Sequence, residues 1–211
     1  MENNLPSKLL QQAIDELSRL PSVGKRTALR LAIYILKQDA IYAQNLSEAI
    51  SNLREKINYC SVCHNISDDT TCEICSSNKR NKEIICVVED IRDFIAIEGT
   101  GQYNGLYHIL GGVISPINGV GINDLNIESL VNRISTREYK EVIMALPTTI
   151  EGETTALYLY KRLVEFDIEI NTIARGVAFG DDLEYTDQIT LGRSIVNRTP
   201  FQAQMSSKRF I

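Results

Sequence analysis

The sequence predicts an α/β protein built in parts: an N-terminal helical segment, a small four-cysteine module, then a mostly parallel sheet with helices on both faces. Three observations predict it. Apolar residues recur at helical spacing through the first 58 residues; Cys60, Cys63, Cys72 and Cys75 form two C-x-x-C pairs separated by eight residues; and beyond residue 80 short β-favouring runs alternate with helical patterns. The parts fall at 1–58, 59–80 and 81–178, followed by a C-terminal helical region and tail at 179–211. A chain of 211 residues with 44% apolar and 23% charged content is ordinary for a soluble globular protein. No apolar run approaches the roughly 18 residues of a membrane span.

The first element is a helix. Leu9, Leu10, Ala13, Ile14, Leu17 and Leu20 recur at helical spacing behind Pro6, whose fixed φ suits an early helical position, and the run stops at Pro21. A second helix fits residues 27–36. Between them Leu20-Pro21-Ser22-Val23-Gly24-Lys25 makes a short turn that leaves the first backbone N–H groups of the second helix pointing outward, with a glycine permitting close approach. Charge concentrates here. Residues 1–58 carry eight basic side chains (Lys8, Arg19, Lys25, Arg26, Arg30, Lys37, Arg54, Lys56) against six acidic ones (Glu2, Asp15, Glu16, Asp39, Glu48, Glu55), while the whole chain has a formal net charge of -5 and a pI near 5.2. Any nucleic-acid contact is therefore local, and residues 19–37, with five basic residues and no acid, are its candidate. The segment resembles a helix-hairpin-helix element, a family of sequence-independent DNA backbone binders. That resemblance implies that Gly24 shapes the hairpin while Lys25, Arg26 and Arg30 hold phosphates, Arg30 lying one turn beyond Arg26. Ser22 stands where many such hairpins have glycine. An ordinary helical corner with a solvated basic face is the plainer alternative.

A third amphipathic stretch, with Leu46, Ala49, Ile50, Leu53 and Ile57, leads into Cys60. Each C-x-x-C pair folds readily into a turn that aims two thiolates at one point, and two such turns complete the tetrahedral all-sulfur site that Zn2+ prefers. Disulfides would need an oxidising compartment, and residues 1–10 carry no signal segment; a single redox pair would leave the other unexplained. One structural Zn2+ on Cys60, Cys63, Cys72 and Cys75 is the expectation. His64 follows a cysteine, but four thiolates already fill the shell. Cys86, in the apolar run 84–88, reads as a small buried hydrophobe.

Strands are expected at 84–88, 106–110, 141–146 and 169–174, with the clearest intervening helix at 154–166. Such alternation implies a mostly parallel sheet, whose ligands gather at the strand carboxyl ends. Those ends are acidic: the first strand runs into Glu89 and Asp90, and the third leads through residues 147–150 to Glu151-Gly152-Glu153. Converging carboxylates suit a hard cation such as Mg2+, or a negative cleft for a basic partner. The arrangement resembles the Toprim domain of topoisomerases, primases and some nucleases, with Glu89 at the first acidic position; the second is Glu-x-Glu where catalysis uses Asp-x-Asp. No nucleophile and base stand together. His108 reads as a core or interface residue, and Tyr103 and Tyr107 suit sheet packing as well as base stacking.

Residues 60–80 fit the pattern C-x2-C-x3-[ST]-x4-C-x-I-C-x4-R at every position, with Ser67, Ile74 and Arg80 in the non-cysteine slots. With the hairpin, residues 87–90, 105–112, 115–116, 151–156 and 180–185 in order, the chain is similar to the RecR family of bacterial recombination-repair proteins. It departs from that family's common residues at Ile91 (Pro), Leu146 (Asn) and Asp181 (Gly). The resemblance implies a non-enzymatic, cytoplasmic, nucleoid-associated factor that binds double-stranded, gapped or single-stranded DNA. It implies action with RecO and RecF to help RecA replace single-strand-binding protein, and a ring-like homo-oligomer, dimer or tetramer, in which residues 179–211 take part. A ring would gather several copies of one basic patch around DNA and leave the acidic exterior in water. The cysteine module would then fix the orientation of its two neighbours. Two other readings stand beside this one: a Mg2+-dependent Toprim nuclease or topoisomerase-like enzyme using Glu89, Asp90, Glu151 and Glu153, and a zinc scaffold that binds protein alone.

Overall fold

The structure, a computed structural model, describes residues 5–178, 180–198 and 200. The chain divides into two compact units, Met1–Asn58 and Tyr59–Ile211, so the cysteine module belongs with the sheet.

In the first unit α1 (Lys8–Leu17) starts on Ser7, whose hydroxyl accepts from the Leu10 N–H, and stops at Ser18. Leu20 therefore lies in the turn and is exposed, and Leu9 is 79% exposed; the buried stripe is narrower than the spacing of leucines implies. Helix α2 (Lys25–Leu36) begins two residues earlier than residue 27, with Gly24 as its N-cap. Ile14 of α1 meets Ala28 and Ala32 of α2, and Leu10, Leu17, Val23 and Leu29 close around them. The alanines let the two helices approach closely. Helix α3 (Ala40–Lys56), capped by Asp39, buries no residue: Leu46, Ile50 and Leu53 form the expected stripe but remain exposed.

The second unit opens with the short strands β1 (Asn58–Tyr59) and β2 (Ile66–Ser67), paired as a two-stranded sheet, and the single-turn helix α4 (Glu73–Ser76). The main sheet holds β3 (Ile84–Val88), β4 (Leu106–Ile109), β5 (Glu141–Ala145) and β6 (Glu169–Thr172), in the order β4-β3-β5-β6. Every pairing is parallel. The strands end within two residues of the positions expected from the apolar runs. Helices α5 (Ile91–Gly99), α6 (Ile127–Ser135) and α7 (Ile150–Leu163) supply the crossovers, and α8 (Gln188–Val196) follows β6.

Register assigns the faces. Ile85, Leu106 and Val142 lie side by side, as do Val87 and Met144, and these point into the core shared with Ile127, Leu130 and Ile134 of α6 and Leu159 and Leu163 of α7. The alternate residues Cys86, Val88, Tyr107, Ile109 and Ala145 face Phe94 and Ile97 of α5. Helices thus cover both faces. Cys86 is buried there, and burial pushes its thiol up to about 12, so it packs as a neutral hydrophobe. Helix α7 sits so close to the end of β5 that a Cβ on Gly152 would lie 2.1 Å from the Pro147 carbonyl oxygen. Helix α8 buries none of its residues. The tail 201–211, expected to serve oligomerisation with the region before it, lies outside the described residues.

Candidate metal centre and nucleic-acid interface

The two cysteine pairs occupy different local structures. Cys60 and Cys63 bracket a tight turn: the Cys60 N–H donates to the Asn65 carbonyl (2.7 Å) and the His64 N–H to the Cys60 carbonyl (2.9 Å), with His64 in the left-handed region at φ 62. Cys72 is the N-cap of α4 and Cys75 lies inside it. All four thiols are free, and one ligand atom from each falls within 4.8 Å of the others. The Cys63 and Cys72 sulfurs are 3.5 Å apart. Sulfurs at the corners of a tetrahedron with bonds of about 2.3 Å are separated by about 3.8 Å, so the set fits one Zn2+. Cys72 is drawn toward its thiolate by hydrogen bonding to Cys63 and then Cys75. Among the described residues no other group of His, Cys, Asp or Glu gathers in this way. His64 is engaged elsewhere, its Nε2 lying 2.8 Å from the Ser129 hydroxyl.

The module is joined to the sheet by backbone and side-chain bonds. The Cys63 carbonyl accepts from the Ile109 N–H at the end of β4 (2.9 Å), and the Val62 carbonyl accepts from Arg133 of α6 (3.4 Å). Ile74 of α4 packs against the cysteines and against both faces of the sheet. Arg80 pairs with Glu98 of α5, which also accepts from the Tyr107 hydroxyl (2.9 Å). The residues between the cysteines and the end of the pattern thus tie the module down. Tyr107 is buried and Tyr103 donates to the Leu106 carbonyl (2.7 Å), which leaves sheet packing as their role.

In the hairpin, Ser22 adopts φ 64, the left-handed conformation that glycine supplies in related turns. Gly24 has φ -78, within reach of any residue, and a Cβ there would meet nothing within 4 Å. The chain itself does not require glycine at 24; what its absence of a side chain leaves is open space at the start of α2. Lys25 and Arg26 occupy the first two helical positions and Arg30 the next turn, all exposed. None of the three makes an ion pair among the described residues.

The acidic end differs from four converging carboxylates. Asp90 caps α5, accepting from the Arg92 and Asp93 N–H groups, and pairs with the Arg92 guanidinium, whose hydrogen bonds hold its carboxyl below the usual range. Glu153 is held by Arg175 (2.7 Å) and Arg193 (3.3 Å), with Arg175 the main reason that its carboxyl is lowered. Glu89 is half-buried and shifted upward, by burial first and then by Asp93 and Asp90. Two of the four carboxylates are spent on ion pairs, and the four do not form a group able to hold a metal ion.

Comparison with known proteins accounts for this succession of parts. Residues 10–54 match the helix-hairpin-helix of RecR, 57–77 its four-cysteine zinc finger domain, 83–174 the Toprim domain and 176–199 the RecR C-terminal region. The chain is 51% identical to the recombination protein RecR of Parabacteroides distasonis, over 98% of this chain and 100% of that one, and 56% identical to that of Flavobacterium johnsoniae, over 93% and 95%. The chain belongs to the RecR family.

Against that family the departures have local explanations. Ile91 is the first residue of α5, where proline is favoured because its N–H has no intrahelical partner, and isoleucine keeps the same helical start under the Asp90 cap. Leu146 packs against the core shared by α6 and α7. Asp181 has no positive φ, so glycine is not required there. Three residues escape sequence reading. Arg133 shows only as a cation among the apolar positions Ile127, Leu130 and Ile134 of α6; Arg175 and Arg193 meet Glu153 across 22 and 40 residues, which no local pattern reveals. No helix of the described residues is long and apolar enough to cross a membrane.

Proposed function

We propose that this RecR-family chain is a non-enzymatic recombination-repair factor that grips DNA backbone through its hairpin, with Lys25, Arg26 and Arg30 on phosphates and the space at Gly24 admitting one of them to the α2 N-terminus. The observation that carries this reading is the conjunction of three exposed cations, without ion pairs among the described residues, with an open glycine cap. As in the resemblance drawn from its motifs, it would act with RecO and RecF so that RecA replaces single-strand-binding protein on gapped or single-stranded DNA, in the cytoplasm at the nucleoid.

A ring-like homo-oligomer suits both the acidic whole and the exposed apolar helices. Leu36, Ile50 and Leu53 of the first unit, and Ile189, Ile195 and Val196 of α8, are all more than half exposed, and burial between copies would remove them from water. Residues 179–211 are assigned to that contact. The carboxylates left outside ion pairs, Glu89 and Glu151, would present negative charge to a basic surface of RecO; Asp90 and Glu153 act through the helix caps and arginines they hold. A shared Mg2+ is not proposed, since the carboxylates do not gather. Zn2+ on the cysteines is structural.

The test pairs Lys25→Ala with Arg26→Ala. Loss of DNA binding with unchanged oligomer size in light scattering is expected; undiminished affinity at moderate salt would remove the phosphate assignment. Supercoiled, nicked and gapped DNA incubated with the protein and Mg2+ should be retarded without cleavage or relaxation. Glu151→Lys should weaken a RecO complex in a pull-down without lowering zinc content, and unchanged capture would count against the acidic surface.

A further inference from the structure

Arg133 is an arginine in an unusual place. Its side chain is 7% exposed and no carboxylate pairs with it among the described residues. Nε donates to the Tyr139 hydroxyl (2.8 Å), and Nη1 donates to the Tyr107 carbonyl (2.7 Å) and to the Val62 carbonyl (3.4 Å). Nη2 is buried without a hydrogen-bond partner among the described residues. A guanidinium keeps its charge at every accessible pH, and a buried charge needs a compensating one nearby. Nothing on α6 or β4 supplies it: the contacts named are a phenol and two carbonyls, and the neighbouring imidazole of His108 is held neutral, pushed down to about 3 chiefly by burial.

One of these bonds leads into the cysteine module. Val62 sits inside the turn bracketed by Cys60 and Cys63, so the fork reaches directly into the metal-binding loop. Four thiolates around one divalent cation carry a formal charge of about -2, itself costly in a buried site. We propose that Arg133 is the positioning residue of the tetrathiolate centre, its guanidinium supplying the buried counter-charge of the metal-thiolate set while its fork joins the first cysteine turn to β4 and α6. Outer groups of this kind tune metal sites as strongly as some ligands do. The role is independent of DNA binding.

The experiment follows zinc transfer from the loaded full-length protein to a chromophoric chelator, together with alkylation of the cysteine thiols. Arg133→Gln should release zinc at least tenfold faster than wild type. Arg133→Lys, which keeps the charge, and Tyr139→Phe, which keeps the charge and the two carbonyl bonds, should stay within threefold. Release from Arg133→Gln at the wild-type rate overturns the proposal. If Arg133→Gln does not fold, Arg133→Lys decides: release within threefold of wild type upholds the counter-charge, whereas tenfold faster release with native circular dichroism assigns retention to the planar fork and overturns it.

Discussion

Ser22 is where the hairpin's geometry can be tested against its proposed contact with DNA. Its φ of 64 is left-handed, a region that costs an L-residue about 1–2 kcal/mol and that β-branched side chains scarcely enter. Replacing it with glycine removes that strain but adds about 0.5–1 kcal/mol of unfolded-chain entropy, so Ser22→Gly should be neutral or stabilising by about 0.5 kcal/mol. Ser22→Val has no such escape. Either valine stays left-handed at a further cost of about 1–2 kcal/mol, or the turn opens and Val23 leaves the cluster around Ile14, Ala28 and Ala32, forfeiting about 1 kcal/mol of apolar burial. Either route destabilises the first unit by about 1–2 kcal/mol, and the second also shifts Gly24, Lys25 and Arg26 at the start of α2. Urea denaturation followed by circular dichroism reads the first quantity, and fluorescence anisotropy on labelled DNA the second. Ser22→Gly should bind within twofold of wild type and Ser22→Val at least tenfold more weakly. A valine variant that melts and binds like wild type would refute the claim that the left-handed residue sets the hairpin.

Two further outcomes follow from the sheet. Gly152→Ala would drive a methyl group into the Pro147 carbonyl, which is backbone and cannot swing aside, so a loss of about 2–3 kcal/mol in urea denaturation is expected. His108 donates from Nε2 to the Asn126 carbonyl (2.9 Å) and is neutral, its folded value near 3 lying below an unfolded value of about 6.5. The unfolded chain therefore binds the extra proton, and stability that is complete above pH 6.5 is lost as pH falls toward 3. Between pH 6.5 and 5.0 this amounts to about 1.5 kcal/mol, and the stability difference between wild type and His108→Leu should shrink by that amount over the same interval.

Local chemistry explains what could be read in advance. The β-favouring runs at 84–88 and 141–146 lie in central strands of a parallel sheet, so each reads as continuous and falls within one residue of its strand. The cysteine turns are set by residues within 16 positions of one another, so spacing alone brings the sulfurs together. The apolar stripes of α1 and α3 carry less: periodicity reports that a helix has an apolar face, but not what covers it, and Leu9, Ile50 and Leu53 remain exposed among the described residues. At the acidic end the sequence shows four carboxylates by position, whereas their partners are Arg92, next door, and Arg175 and Arg193, far along the chain, and the four do not gather into one group. Lys25 and Arg26 were legible as charge, and the earlier start of α2 became visible only with Gly24 as its cap.

The position of the cysteine module changes what zinc is for. Spacing between a basic helical segment and an acidic α/β domain suggests a joint that fixes two neighbours, yet the module lies in the same unit as the sheet. β4 is an edge strand, with β3 on one side only. An open edge offers unpaired backbone groups to any passing strand. Here the Ile109 N–H at its end is taken by the Cys63 carbonyl, the Val62 carbonyl is held through Arg133, and Ile74 fills the space behind. Metal binding of order 10 kcal/mol would hold such turns folded and so brace the strand end they bond. Zn2+ on these cysteines would brace the end of one edge strand, while the hairpin of the first unit depends for its shape on Ser22 and the alanines of α2.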